Sequence, residues 1–126
     1  MYEIGKRYDF CASHVLRGHP GPCGRLHGHN YRLEVRLAGE TLDDLHMLLD
    51  FYELDAVVKP LIDAVDHRHL NDLPPFASVN PTAEAIAAWF HRELVPGIRE
   101  ASSGRARLCG IRLWETPDAC VTFTEE

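Results

Sequence analysis

The stretch Cys23-Gly24-Arg25-Leu26-His27-Gly28-His29-Asn30-Tyr31 gathers one thiol and two imidazoles into a short run of a 126-residue chain. In an extended segment residues two apart share a face, so His27 and His29 present their rings side by side. Two imidazoles alone hold a metal weakly. A third ligand is therefore expected from elsewhere, and His14 in Phe10-Cys11-Ala12-Ser13-His14 is of the right type. Three neutral histidines with one position left open are the donor set of catalytic zinc. Cys23, four positions before His27, admits two roles: a fourth ligand closing a structural Cys-His₃ site, or a free thiol beside an open one. The local residues are compatible with either.

Two further groupings can carry chemistry. Asp66-His67 sets a carboxylate next to an imidazole at the end of an expected helix. If His67 reaches Cys23 it can take the thiol proton while Asp66 holds the ring's tautomer; otherwise His67 serves as a cationic C-terminal helix residue. Glu115 follows the apolar Ile111-Arg112-Leu113-Trp114 run. It is either a solvated strand end or an acceptor able to take two parallel N–H donors from a guanidine-like ring edge. Lys6, Arg17 and Arg25 are the cations near the central stretch that could meet a compact polyphosphate, and His19, His46, His69 and His91 are expected at the surface.

The elements that must position these groups follow from periodicity. Tyr2 to Ala12 alternates with period two and ends near His14, and Asn30 to Ala38 alternates with Tyr31, Leu33, Val35 and Leu37 on one side. Gly18, Pro20, Gly21, Pro22 and Gly24 mark the connection as a loop that carries Cys23 over the histidine face. Met47 to Phe51 is a candidate for a brief strand. Tyr52 to Val65 has helical spacing, with Pro60 expected to kink or split it. A second helix is expected from Asn80 as N-cap and Pro81 at the first position, ending at Pro96-Gly97. Ala106 to Glu115 and Ala119 to Thr124 form a hairpin turned at Thr116-Pro117-Asp118. The expected order is ββααββ, an α+β fold with a four-stranded antiparallel sheet and both helices on one face.

Composition bounds the rest. The length suits a single domain, residues 1–126, and 45% apolar with 25% charged residues is ordinary globular composition. A net charge of −6 argues against nucleic-acid binding through phosphate neutralisation. No apolar run is long enough to span a membrane, the first residues lack a signal core, and the four cysteines form no CxxC pair. A cytoplasmic protein with free thiols is expected, with no membrane partner.

Taken in order, Phe10-x-Ala12-x-His14, Cys23-x-x-x-His27-Gly28-His29-x-Tyr31, Asp50-Phe51, Asp66-His67-x-x-Leu70-Asn71, Asn80-Pro81-Thr82-x-Glu84 and Trp114-Glu115-Thr116 resemble the 6-pyruvoyltetrahydropterin and 6-carboxytetrahydropterin synthases over nearly the whole chain. The form Cys-Gly-Arg-Leu-His-Gly-His is similar to the queuosine-pathway carboxy branch; a folate-pathway branch carries glutamate where Cys23 stands. The resemblance implies a tunnelling fold whose subunits join into trimers and then hexamers, with sites between subunits. It implies Zn²⁺ on His14, His27 and His29, Cys23 as general base, Asp66 and His67 as its relay, Glu115 as anchor of the pterin ring, and Thr82 as a further ring contact. The implied substrate is 7,8-dihydroneopterin triphosphate, and the implied products are 6-carboxytetrahydropterin, acetaldehyde and triphosphate. Two alternatives stand beside this: a pyruvoyl synthase that only eliminates triphosphate, and a non-catalytic zinc-stabilised assembly module.

Overall fold

The computed structural model describes residues 1–125. Two long strands, β1 (Tyr2–His14) and β2 (His27–Gly39), pair antiparallel along their whole length. Helix α1 (Phe51–Val65), a short strand β3 (Arg68–His69), helix α2 (Ala83–Ala101) and the hairpin β4 (Arg107–Thr116) and β5 (Ala119–Phe123) follow. The sheet order is β3-β1-β2-β4-β5, and β3 runs parallel to β1 through Ala12 and Ser13. The α+β fold is as expected, but the sheet is mixed and five-stranded rather than four-stranded and antiparallel. Two residues are too few to show a period, so β3 has no sequence signature.

Strand alternation builds the core. Tyr8, Phe10, Ala12 and His14 of β1, Tyr31, Leu33, Val35 and Leu37 of β2, and Ile111 and Leu113 of β4 are buried. All of these except His14 belong to one hydrophobic cluster with Leu54, Val58, Ile62 and Val65 of α1 and Ile86, Phe90, Leu94 and Ile98 of α2. Phe10 stacks on Tyr31 at 4.8 Å between ring centroids and meets Phe90 at 5.7 Å. The opposite sheet face is polar, with Arg32 on Asp9 at 2.9 Å, Arg36 on Glu3 at 2.6 Å, and Trp114 flanked by the guanidinium groups of Arg7 and Arg112.

Both helices run through their prolines. Pro60 and Pro96 sit on exposed positions, where the carbonyl each leaves unpaired belongs to an exposed residue and water can satisfy it. Gly97 does not stop α2; it lets α1 approach, since a Cβ there would lie 2.8 Å from Val57 Cγ1. Residues 47–50 form no strand, with bends at Leu48 and Leu49, and Asp50 caps α1 by accepting from the Tyr52 amide at 2.9 Å. The N-cap of α2 is Thr82, whose Oγ1 accepts from Ala85 N at 3.1 Å, in place of the expected Asn80. His91 is buried, not on the surface, and packs on Phe123.

Candidate metal centre and active site

The three histidines converge because the β1–β2 register pairs His14 with His27 and Ala12 with His29. All three rings fall on the helix-facing side at the end of the sheet. Their centroids are 4.5, 5.2 and 4.9 Å apart, and one nitrogen of each lies within 4.8 Å of the others. His14 Nδ1 donates to the Pro81 carbonyl and His27 Nδ1 to the Arg25 carbonyl, each at 2.7 Å. With Nδ1 protonated, both Nε2 atoms carry bare lone pairs, and these face each other at 2.9 Å. His29 Nε2 is buried without a hydrogen-bond partner. Burial lowers the pKa of His14 and of His29, keeping both rings neutral. Three converging imidazole nitrogens, with outer carbonyls orienting two of the rings, suit a divalent cation, and imidazole donors favour zinc-class ions over hard ones.

Glu115 reaches the same place from β4. It lies at an irregularity in the β4–β5 pairing between Trp114 and Thr116, and its Oε1 is 3.6 Å from His29 Nε2. Bulged positions re-aim side chains, and this carboxylate points to the histidines from a partly open position. Tyr31 lies beneath His29, and burial together with Glu115 pushes its phenol well above the usual range.

The loop from Val15 to Leu26 is pinned by two amide side chains. Asn71 bonds both the N–H and the carbonyl of Val15, and Asn80 does the same for Arg17, all at 2.8–2.9 Å. Arg17 also donates to the Phe76 carbonyl. Cys23 sits in a 3₁₀ turn, Pro22–Gly24, with its carbonyl accepting from Leu16 N at 2.9 Å. Gly24 is required there, because a Cβ would collide with the His19 carbonyl. Cys23 is half-buried and is not among the atoms that cluster within 4.8 Å at the three histidines.

Asp66 ends α1 and His67 turns the chain into β3 with a φ of +57°, in the left-handed region. The neighbour of this dyad within the chain is Cys11, not Cys23. Asp66 Oδ1 accepts from Cys11 N at 2.9 Å and lies 3.0 Å from His67 Nδ1, while His67 N donates to the Cys11 carbonyl at 2.6 Å. The Cys11 amide and the His67 ring hold the Asp66 carboxyl below the usual carboxylate range. The His67 side chain is 79% exposed. A cavity of about 470 Å³ touches both His29 and His67, with Gly28, which has no side chain, in its wall. Thr82, expected to contact the ring, uses its hydroxyl as the cap of α2, one residue from the Pro81 carbonyl that orients His14.

Sequence reading missed the carbonyls of Pro81 and Arg25, since main-chain acceptors have no residue signature. It also missed Asn71 and Asn80 as loop clamps, although both stand in the motifs.

The fold and the histidine centre define an α+β protein with a site suited to a divalent metal. Residues 3–126 match the family model described as 6-pyruvoyl tetrahydropterin synthase, and the chain belongs to this family. A 6-carboxy-5,6,7,8-tetrahydropterin synthase of Synechocystis is 41% identical over 90% of this chain and 97% of the relative. One of Haemophilus influenzae is 30% identical over 99% of this chain and 100% of the relative. The solved 6-pyruvoyl tetrahydropterin synthase of Caenorhabditis elegans superposes with a TM-score of 0.83 at 25% identity, covering 99% of this chain and 96% of that one. These relatives support a lyase-type tetrahydropterin synthase. No helix of the described residues is long and apolar enough to cross a membrane.

Proposed function

We propose that this protein is a zinc-dependent carbon–carbon lyase that converts 7,8-dihydroneopterin triphosphate, with water, into 6-carboxy-5,6,7,8-tetrahydropterin, acetaldehyde and triphosphate, as in the making of queuosine and related 7-deazapurines. The observation that carries this reading is the convergence of three imidazole nitrogens beside the Glu115 carboxylate. The similarity to the Synechocystis carboxy enzyme points the same way.

Zinc on His14, His27 and His29 would supply a Lewis acid for the hydroxyls of the substrate side chain. The residues would do the rest. Glu115, with two acceptor oxygens, would hold the paired N–H donors of the pterin edge and so fix the side chain over the histidines. Cys23 would take the proton from the side-chain carbon and deliver it toward the ring, and Asp66–His67 would restore its protonation state. Because the dyad lies beside Cys11 and faces solvent, the reading assigns Asp66 and His67 to the Cys23 of a neighbouring subunit.

Open sheet edges support such an assembly. Along β1 only Ala12 and Ser13 pair with β3 and Cys11 is bonded to Asp66 and His67, which leaves Tyr2 to Phe10 with an unpaired edge, and β5 pairs on its β4 side alone, among the described residues. Joining β5 of one copy to β1 of the next would close a ring of trimers, stacked into a hexamer.

The test is to incubate the purified zinc form with dihydroneopterin triphosphate and identify pterin and two-carbon products by mass. Acetaldehyde with 6-carboxytetrahydropterin is the expected result. The names of the family model and of the Caenorhabditis neighbour favour a second reading, a pyruvoyl synthase, which would release triphosphate without acetaldehyde.

A further inference from the structure

Cys11 stands on the sheet face opposite the three histidines, and its surroundings resemble a ligand set more than a packing site. Its Sγ, one carboxylate oxygen of Asp66 and one ring nitrogen of His67 all lie within 4.8 Å of one another. Asn30 is its direct partner across β1 and β2, and the thiol donates to Asn30 Oδ1 at 2.9 Å. Three elements thus deliver a sulfur, a carboxylate, an imidazole and an amide to one point at the rim of the cavity that also touches His29.

We propose that Cys11, Asp66 and His67 form a second divalent-cation site, for a borderline-soft ion of the zinc class, whose occupation switches the enzyme off. Donors 2.0–2.3 Å from a tetrahedral ion lie roughly 3.3–3.8 Å apart, so inward shifts of about an ångström close the set. The exposed His67 ring is free to make that shift, and Asp66 keeps its second oxygen for the ion while its first holds the Cys11 amide. A thiolate–imidazole pair selects against magnesium and calcium, which take oxygen donors. Binding releases the Cys11 thiol proton to solvent, and rotation of the Asn30 amide then turns its NH₂ toward the thiolate.

The inhibitory consequence rests on the relay role given to Asp66 and His67 above; the binding itself does not. A ring nitrogen committed to a cation cannot move a proton. Metal beyond that held by the three histidines should therefore stop turnover, and substrate excess should not relieve it.

The experiment uses the full assembled chain, stripped with chelator and titrated with cobalt(II) and with zinc(II). Equilibrium dialysis with elemental analysis counts bound metal, and near-ultraviolet absorption reports thiolate–cobalt bonding. The expected result is a second ion per chain and a thiolate band, both lost in Cys11→Ser and both kept in Cys23→Ala. Asn30→Ala should weaken the second ion roughly 10- to 100-fold, the range seen when an outer partner of a ligand is removed. In the wild-type protein, filling the second site should slow alkylation of Cys11, mapped by mass, which keeps the test intact should Cys11→Ser not fold. Saturation by the histidine site alone, a second ion that persists in Cys11→Ser, a band that disappears with Cys23→Ala, or Cys11 alkylation indifferent to metal would each overturn the proposal. Metal counting does not depend on the pterin reaction, so its outcome stands apart from that of the product assay.

Discussion

His14 Nε2 and His27 Nε2 face each other at 2.9 Å, although the outer nitrogen of each ring is already committed to a backbone carbonyl. Two lone pairs at that separation repel unless a positive charge lies near both. The arrangement is thus poised for a cation.

Replacing His27 by alanine removes one of three donors while leaving the β1–β2 ladder intact upstream. The variant should fold and lose its metal, with zinc content after dialysis as the readout. Full retention of zinc would count against the three-histidine centre.

Cys23→Ala should keep both fold and metal and lose turnover on the order of a hundred- to ten-thousand-fold, the usual worth of general acid–base help. Unimpaired turnover would move the proton transfer to another group. A fall in zinc content instead would identify Cys23 as a fourth ligand.

Glu115→Gln keeps the shape of the proposed anchor but removes its charge. A charge-assisted hydrogen bond contributes about 1.5–3 kcal/mol, so pterin affinity should fall about 10- to 100-fold. Titration with a pterin lacking the triphosphate measures this without turnover.

The metal-free chain should lose stability on mild acidification. Burial holds His14 and His29 below the ordinary imidazole pKa, so the unfolded chain takes up protons first as pH falls. Their contribution is complete above about pH 6.5 and is lost as pH drops through the folded values. Metal release is expected in the same window, because the protons compete for the same nitrogens. A thermal midpoint unchanged between about pH 7 and 5 would contradict this.

Gly97→Val should destabilise the fold by about 1–3 kcal/mol through overpacking against Val57. Val57→Ala should restore part of the loss in the double variant. Denaturant melts of the two single variants and the double variant check the coupling.

The histidine centre was legible in the sequence because strand alternation fixes which side chains share a face, and His14, His27 and His29 all obey it. The long strands and both helices were legible for the same reason. Helix limits were not: Pro60 and Pro96 have the signature of helix breakers, yet both lie where solvent compensates the missing bond. Gly97 has the signature of a helix stop, but its small size serves helix contact. The surroundings of Asp66–His67 were illegible because the two residues of β3 carry no pattern, and it is β3 that sets the dyad beside Cys11.

His14 and His27 are the last residue of one strand and the first of the next, and they close the ladder as its final rung. Whatever happens between them, at Val15 to Leu26, begins and ends on anchored positions. That segment can therefore be lengthened or shortened by evolution at its exposed tip, Gly18 to Pro20, while the Arg25 carbonyl goes on orienting His27 and the histidine geometry stays where it is.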